Sequence, residues 1–112
     1  MPLNAFSVDL EEWYHAEVVR RLGVARVSQA EEATSPVLAL LAEAGVFATF
    51  FVVGEVMEAH PGLVRRIRDA GHEVACHGVA HRPLWTMSEE ELRRDSHLLG
   101  SGREIQFVAR NP

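Results

Sequence analysis

The sequence predicts an α/β fold built on a mainly parallel sheet, open or rolled into a barrel, and three observations carry that expectation. Strand and helix signals alternate along nearly the whole chain. Residues 46–53 form an apolar, aromatic and β-branched run broken only by Thr49, the pattern of a strand buried on both faces. The order Ala44, Gly45, strand returns about 26 residues later as Ala70, Gly71, strand, a period that suits successive βα units better than a solenoid.

Each element has its own justification. The run Phe6, Ser7, Val8, Asp9, Leu10, Glu11, Glu12 reads as a short buried strand that delivers carboxylates at its C-terminal end. Residues 13–33 are mixed, with a short helix over 17–22 and then a polar linker. Ser35 suits an N-cap and Pro36 the first helical position; Val37, Leu38, Leu40, Leu41 and Ala44 supply an apolar face, and Gly45 stops the helix. In the strand that follows, Phe47, Phe50 and Phe51 read as core. Pro61, preceded by His60 at the helix start, opens a second helix carrying Leu63, Val64, Ile67 and Ala70, and Gly71 closes it. Residues 72–76 form the third strand, with His72 as a structural residue at its beginning. Ser88 with Glu91 makes a capping box for a third helix through Leu92, Leu98 and Leu99 to Gly100, and residues 105–108 read as a fourth strand.

Composition narrows the classes. A length of 112 residues suits one modest domain, 1–112, and 47% hydrophobic content is ordinary for a globular fold. The net charge of -5, with every basic residue an arginine, argues against a nucleic-acid partner. Arg65, Arg66 and Arg68 read as a solvated helix face. The single cysteine, Cys76, excludes an intramolecular disulfide and a cysteine-rich zinc module, and reads as a small buried strand residue. No apolar run approaches the roughly 18 residues that span a bilayer, and no basic segment precedes an apolar core at the N-terminus, so a cytoplasmic location is the default expectation.

The chemistry lies in His77 and His81, four apart just past the third strand. Two imidazoles at that spacing can grip one metal ion, and a catalytic zinc typically takes three protein ligands and keeps one position open. A carboxylate must complete the set. In parallel α/β folds the working groups gather at the C-terminal ends of strands. Asp9, Glu11 and Glu12 end the first strand and the histidines follow the third, so both groups are expected on one rim, which suggests a metal-dependent hydrolase.

Taken in order, residues 6–15 (FSVDLEEWYH), 48–54 (ATFFVVG), 60–61 (HP) and 70–82 (AGHEVACHGVAHR) resemble the polysaccharide deacetylase family, the carbohydrate esterase family four type, and within it the branch associated with bacterial exopolysaccharide production. The resemblance implies the N-terminal part of a distorted (β/α) barrel that removes N-acetyl groups from an amino-sugar polysaccharide or oligosaccharide, with a divalent metal, zinc first among candidates, as cofactor. It implies Asp9 as general base, Glu11 as carboxylate ligand, and His77 and His81 as imidazole ligands. Where the family has two adjacent aspartates, this chain has Asp9, Leu10, Glu11 and Glu12. Strand alternation favours Glu11 as the ligand, with Glu12 the substitute. His15 is a candidate for substrate contact or for orienting a ligand, Trp85 for stacking on a sugar ring, and Arg110 for an echo of the family's arginine motif. No residue matches the family's late histidine, so the chain reads as a partial domain, whose open sheet edges a second copy would cover as a homo-oligomer. Two alternatives stand beside this: a related amidohydrolase acting on a small non-sugar amide, and a catalytically inactive carbohydrate-binding or assembly domain.

Overall fold

A computed structural model of the chain describes residues 3–23 and 25–100. Three strands pair in parallel in the order β1 (Ser7–Leu10), β2 (Thr49–Val52) and β3 (Glu73–Cys76). Val8, Phe50 and Val74 share one row of the register, Asp9, Phe51 and Ala75 the next, and Leu10, Val52 and Cys76 the third. Because side chains alternate along a strand, Asp9 projects from the opposite face to Leu10 and Phe50.

The helices cover that second face. Leu10, Phe50, Val52 and Val74 from the sheet pack with Leu41 of α2 (Ala30–Ala44), Val56 and Met57 of α3 (Gly54–Ala59), and Leu63, Val64 and Ile67 of α4 (Pro61–Asp69). Each such Leu, Ile or Phe removed from water contributes about 1.5–3 kcal/mol before conformational entropy is set against it. Asp9, Ser7 and Glu73, on the alternate positions, stay exposed.

The repeated Ala-Gly pair has a common structural cause. At the end of α2, Gly45 takes φ 66°, its N–H bonds Ala42 O, and the Val46 N–H bonds Leu41 O. At the end of α4, Gly71 takes φ 95°, its N–H bonds Arg68 O, and the His72 N–H bonds Ile67 O. Both are Schellman closures, which need a residue tolerant of the left-handed region and turn the chain directly into the next strand. Gly71 is further confined, because a Cβ there would lie 2.8 Å from Phe47 Cε1.

Several boundaries differ from expectation. The helix expected from Ser35 starts at Ala30, so Pro36 lies inside it and Ser35 turns its hydroxyl back to Glu31 O at 3.0 Å. The helix needs no local cap because the buried Glu12 carboxylate accepts from the Gln29 N–H at 2.9 Å at its N-terminus. The second strand is confined to Thr49–Val52, and Phe47, expected in the core, is 71% exposed. It lies over Gly71 and beside His72 instead, while Phe50 is fully buried and Phe51 half-buried. α3 was not expected at all. The short helix near the N-terminus is α1 (Glu17–Arg20), and α5 (Glu89–Gly100) begins as read, with the Glu91 N–H on Ser88 Oγ at 3.1 Å. The reciprocal half of that capping box gives way to an ion pair, as the Glu91 carboxylate takes Arg82 at 2.7 Å. His72 is structural, its Nδ1 accepting from the Ala48 N–H at 3.0 Å. The fourth strand expected at 105–108 lies outside the described residues. Among the described residues no helix is long and apolar enough to cross a membrane.

Candidate metal centre

Glu11 and His77 each follow directly on a strand, and the ladder runs on to meet them: the Val53 N–H bonds Leu10 O and the His77 N–H bonds Val52 O, both at 3.0 Å. This extension puts Glu11 and His77 at one level on the C-terminal rim, on the face that also carries Asp9. His81 reaches the same point through a loop with two left-handed residues, Gly78 at φ 75° and His81 itself at φ 56°. A histidine in that region is uncommon, and backbone strain of this kind persists only where surrounding bonds hold it.

Those bonds come from α3 and α1. The Gly54 and Glu55 N–H groups at the start of α3 donate to Gly78 O and Val79 O, each at 2.8 Å, and the Arg20 guanidinium donates to Ala80 O. The His81 ring is then fixed by its Nδ1, 3.0 Å from the backbone carbonyl of His15. A carbonyl only accepts, so Nδ1 carries a proton, and in the neutral ring this leaves Nε2, on the Glu11 side, as the ligand atom.

The three groups converge. Ligand-capable atoms of Glu11, His77 and His81 all lie within 4.8 Å of one another. His81 Nε2 stands 3.2 Å from Glu11 Oε2, and His77 Nε2 stands 4.0 Å from Glu11 Oε1 and 4.0 Å from Asp9 Oδ2. Glu11 Oε2 is buried yet makes no hydrogen bond to the described residues. Buried polar oxygens ordinarily have a partner, so an unbonded carboxylate oxygen beside two imidazoles suits a cation. A carboxylate and two imidazoles whose ligand-capable atoms lie this close form a donor set that fits a zinc-type ion.

The other expected residues fall differently. Glu12 is 3% exposed and points away from the histidines. Burial pushes its carboxyl up, but hydrogen bonds from the Ser28 hydroxyl, the Gln29 and Ala30 amides and Tyr14 outweigh burial and hold it below the usual glutamate range. The Glu12 carboxylate is thereby bonded at the N-terminus of α2, and the group that gathers beside His77 and His81 contains Glu11 and not Glu12. His15, a candidate for substrate contact or for orienting a ligand, is 2% exposed and is not among the residues lining the cleft beside His77 and His81; its Nδ1 accepts from the Glu12 N–H at 2.9 Å, and Nε2 meets Glu55 Oε2 at 2.9 Å. Trp85 is 85% exposed and, with Leu84, Pro83, Arg82, His81 and His77, lines a cleft of about 450 Å³ that opens onto the histidine pair. Cys76 stays outside the cluster, with burial pushing its thiol up against the pull of a backbone hydrogen bond at Gly78. Arg110 lies outside the described residues. Sequence reasoning missed Glu55. Its only signal was a glutamate just after the Val53–Gly54 end of a strand, on the rim where functional groups collect.

Fold and site together define a parallel βα domain of barrel type with a carboxylate and two histidines on its C-terminal rim. The polysaccharide deacetylase family profile matches residues 25–98, and the chain belongs to that family. It is 44% identical over 62 residues to a chitooligosaccharide deacetylase of Rhizobium leguminosarum bv. trifolii, a match covering 55% of this chain and 29% of that protein. It is 39% identical over 62 residues to a peptidoglycan-N-acetylglucosamine deacetylase of Bacillus cereus, covering 55% of this chain and 22% of that protein. Among solved structures, a putative polysaccharide deacetylase from Mycobacterium smegmatis superposes with a TM-score of 0.64 at 30% identity, covering 81% of this chain and 34% of the other. These matched segments span between about a fifth and a third of the length of the curated relatives. The profile match includes His77 and His81 and begins after Asp9 and Glu11, so the carboxylate half of the site rests on the register and distances given above.

Proposed function

We propose that this chain carries the metal-binding rim of a deacetylase acting on N-acetylated amino sugars, as polysaccharide or oligosaccharide, with Glu11, His77 and His81 holding one divalent ion, zinc in the first instance. The observation that carries the proposal is the buried, unbonded Glu11 Oε2, 3.2 Å from Nε2 of His81. When bound, an ion there supplies Lewis acidity toward an amide carbonyl and toward water.

The chain's own residues do the rest. Glu11 contributes the negative charge and the two imidazoles remain neutral, which suits a site that must hold a dication and stay electrophilic. Asp9 acts as the general base that takes the proton of an attacking water, a role supported by its exposure on the same face, 4.0 Å from His77 Nε2. The apolar lip formed by Leu84 and Trp85 offers a flat surface on which a pyranose face stacks. A chitooligosaccharide and a peptidoglycan glycan share the N-acetylglucosamine unit that such a site would read. The exopolysaccharide branch suggested by residues 6–15 would supply a polymer of the same chemistry.

Acetate release from N-acetylated chitooligosaccharide by the full chain with added zinc tests this. Asp9→Asn is expected to lower release by about a hundredfold or more while leaving zinc uptake unchanged. Release that persists after chelation, or that Asp9→Asn leaves intact, contradicts the assignment.

A further inference from the structure

Glu55 is bonded twice, to the two halves of the candidate centre. Its backbone N–H holds Val79 O at 2.8 Å, in the middle of the loop that carries His77 and His81. Its carboxylate holds the ring of His15 at 2.9 Å. His15 in turn belongs to the turn that follows Glu11: its Nδ1 accepts from the Glu12 N–H at 2.9 Å, and its carbonyl accepts from His81 Nδ1 at 3.0 Å. Since Nδ1 accepts a backbone N–H, the His15 proton sits on Nε2, and the bond to Glu55 is a charge-assisted one donated by a neutral imidazole.

The connectivity forms a closed circuit. It runs from the Glu55 carboxylate through the His15 ring and carbonyl to the His81 ring, and back through the loop to the Glu55 amide. A side branch from His15 Nδ1 reaches the Glu12 N–H, next to Glu11. The His15 ring is buried, so its position cannot be made up by water, whereas the Glu55 side chain is 46% exposed and can be altered without opening the core.

We infer that Glu55 and His15 are positioning residues that set the separation of Glu11 from His81 and so tune how tightly and in what geometry the centre takes its ion. The inference rests on the metal reading proposed above. Partners that orient ligand histidines typically change metal affinity by 10–100-fold when removed. Here the orienting acceptor on His81 is a main-chain carbonyl, which mutation cannot delete. Its placement depends on the His15 ring, and the ring depends on Glu55.

The test uses the full chain with zinc alone for affinity and cobalt(II) alone for the ligand-field spectrum, comparing wild type, Glu55→Ala and Glu55→Gln, with thermal melts of the metal-free proteins alongside. Glu55→Ala is expected to weaken zinc binding about tenfold or more and to shift the visible bands of the saturated cobalt form. Glu55→Gln retains an acceptor oxygen for His15 Nε2 and is expected to stay within about threefold of wild type. A purely structural role would lower the melting temperature of Glu55→Ala and leave the affinity and cobalt spectrum of its folded fraction unchanged. That result, with wild type binding one ion, overturns the positioning role and spares the metal reading. Wild type that binds no ion overturns both.

Discussion

A histidine pair four apart is legible in a sequence because its chemistry is carried by residue type, and Glu11 follows from strand alternation once the first strand is found. His15 was legible as a candidate for substrate contact or for orienting a ligand, but the partners that hold it were not. Its place is set by Glu55, 40 positions away, and its hold on His81 runs through a carbonyl that every residue has. No side-chain pattern announces that. Gly71 shows the same limit more simply: the helix stop was readable, but the ring of Phe47 against its Hα face was not, since it depends on where the next strand begins. Two penalties therefore combine at this position, φ 95° and a 2.8 Å approach to Phe47 Cε1. Gly71→Ala is expected to cost about 1–3 kcal/mol in urea unfolding. Combining it with Phe47→Ala should return the steric part and leave the backbone part.

At the scale of elements, the glycine closures of α2 and α4 were better predicted than the start of α2. Glycine closures are local, and both Gly45 and Gly71 stop their helices where the sequence says. The start of α2 is not local, because its anion comes from Glu12, 17 positions earlier, so the Ser-Pro pair inside the helix looked like the better cap. α3 went unread because six residues after a strand leave too little periodicity to detect, although its first two amides hold the ligand loop. Glu12 also gives the helix a pH response whose sign follows from its hydrogen bonds. Its folded pKa is depressed, so its contribution is complete above the ordinary glutamate value of about 4.3 and disappears as pH falls through the lower folded value. Glu12→Gln is expected to destabilise the chain at neutral pH and to flatten the decline in melting temperature below about pH 4.3. An unchanged acid limb in that variant would show that α2 does not depend on the Glu12 charge.

For the whole molecule, parallel pairing in the order β1-β2-β3 was legible from the alternation of strands and helices, since crossover connections favour neighbouring placement. That topology brought residues at 9–11 and 77–81 to one rim before any distance was known. The side of the sheet that carries Asp9 and Glu73 could not be read in the same way, because the apolar run at 46–53 promised burial on both faces and the helices cover one. On the proposed function, this rim holds a single divalent ion through Glu11, His77 and His81. Isothermal titration of zinc into the full chain and into His77→Ala tests it most directly. About one ion per chain is expected, with at least tenfold weaker binding in the variant, because two remaining ligands fall short of the three protein ligands of a catalytic zinc site; no binding by wild type, or binding that His77→Ala leaves unchanged, would contradict the metal assignment.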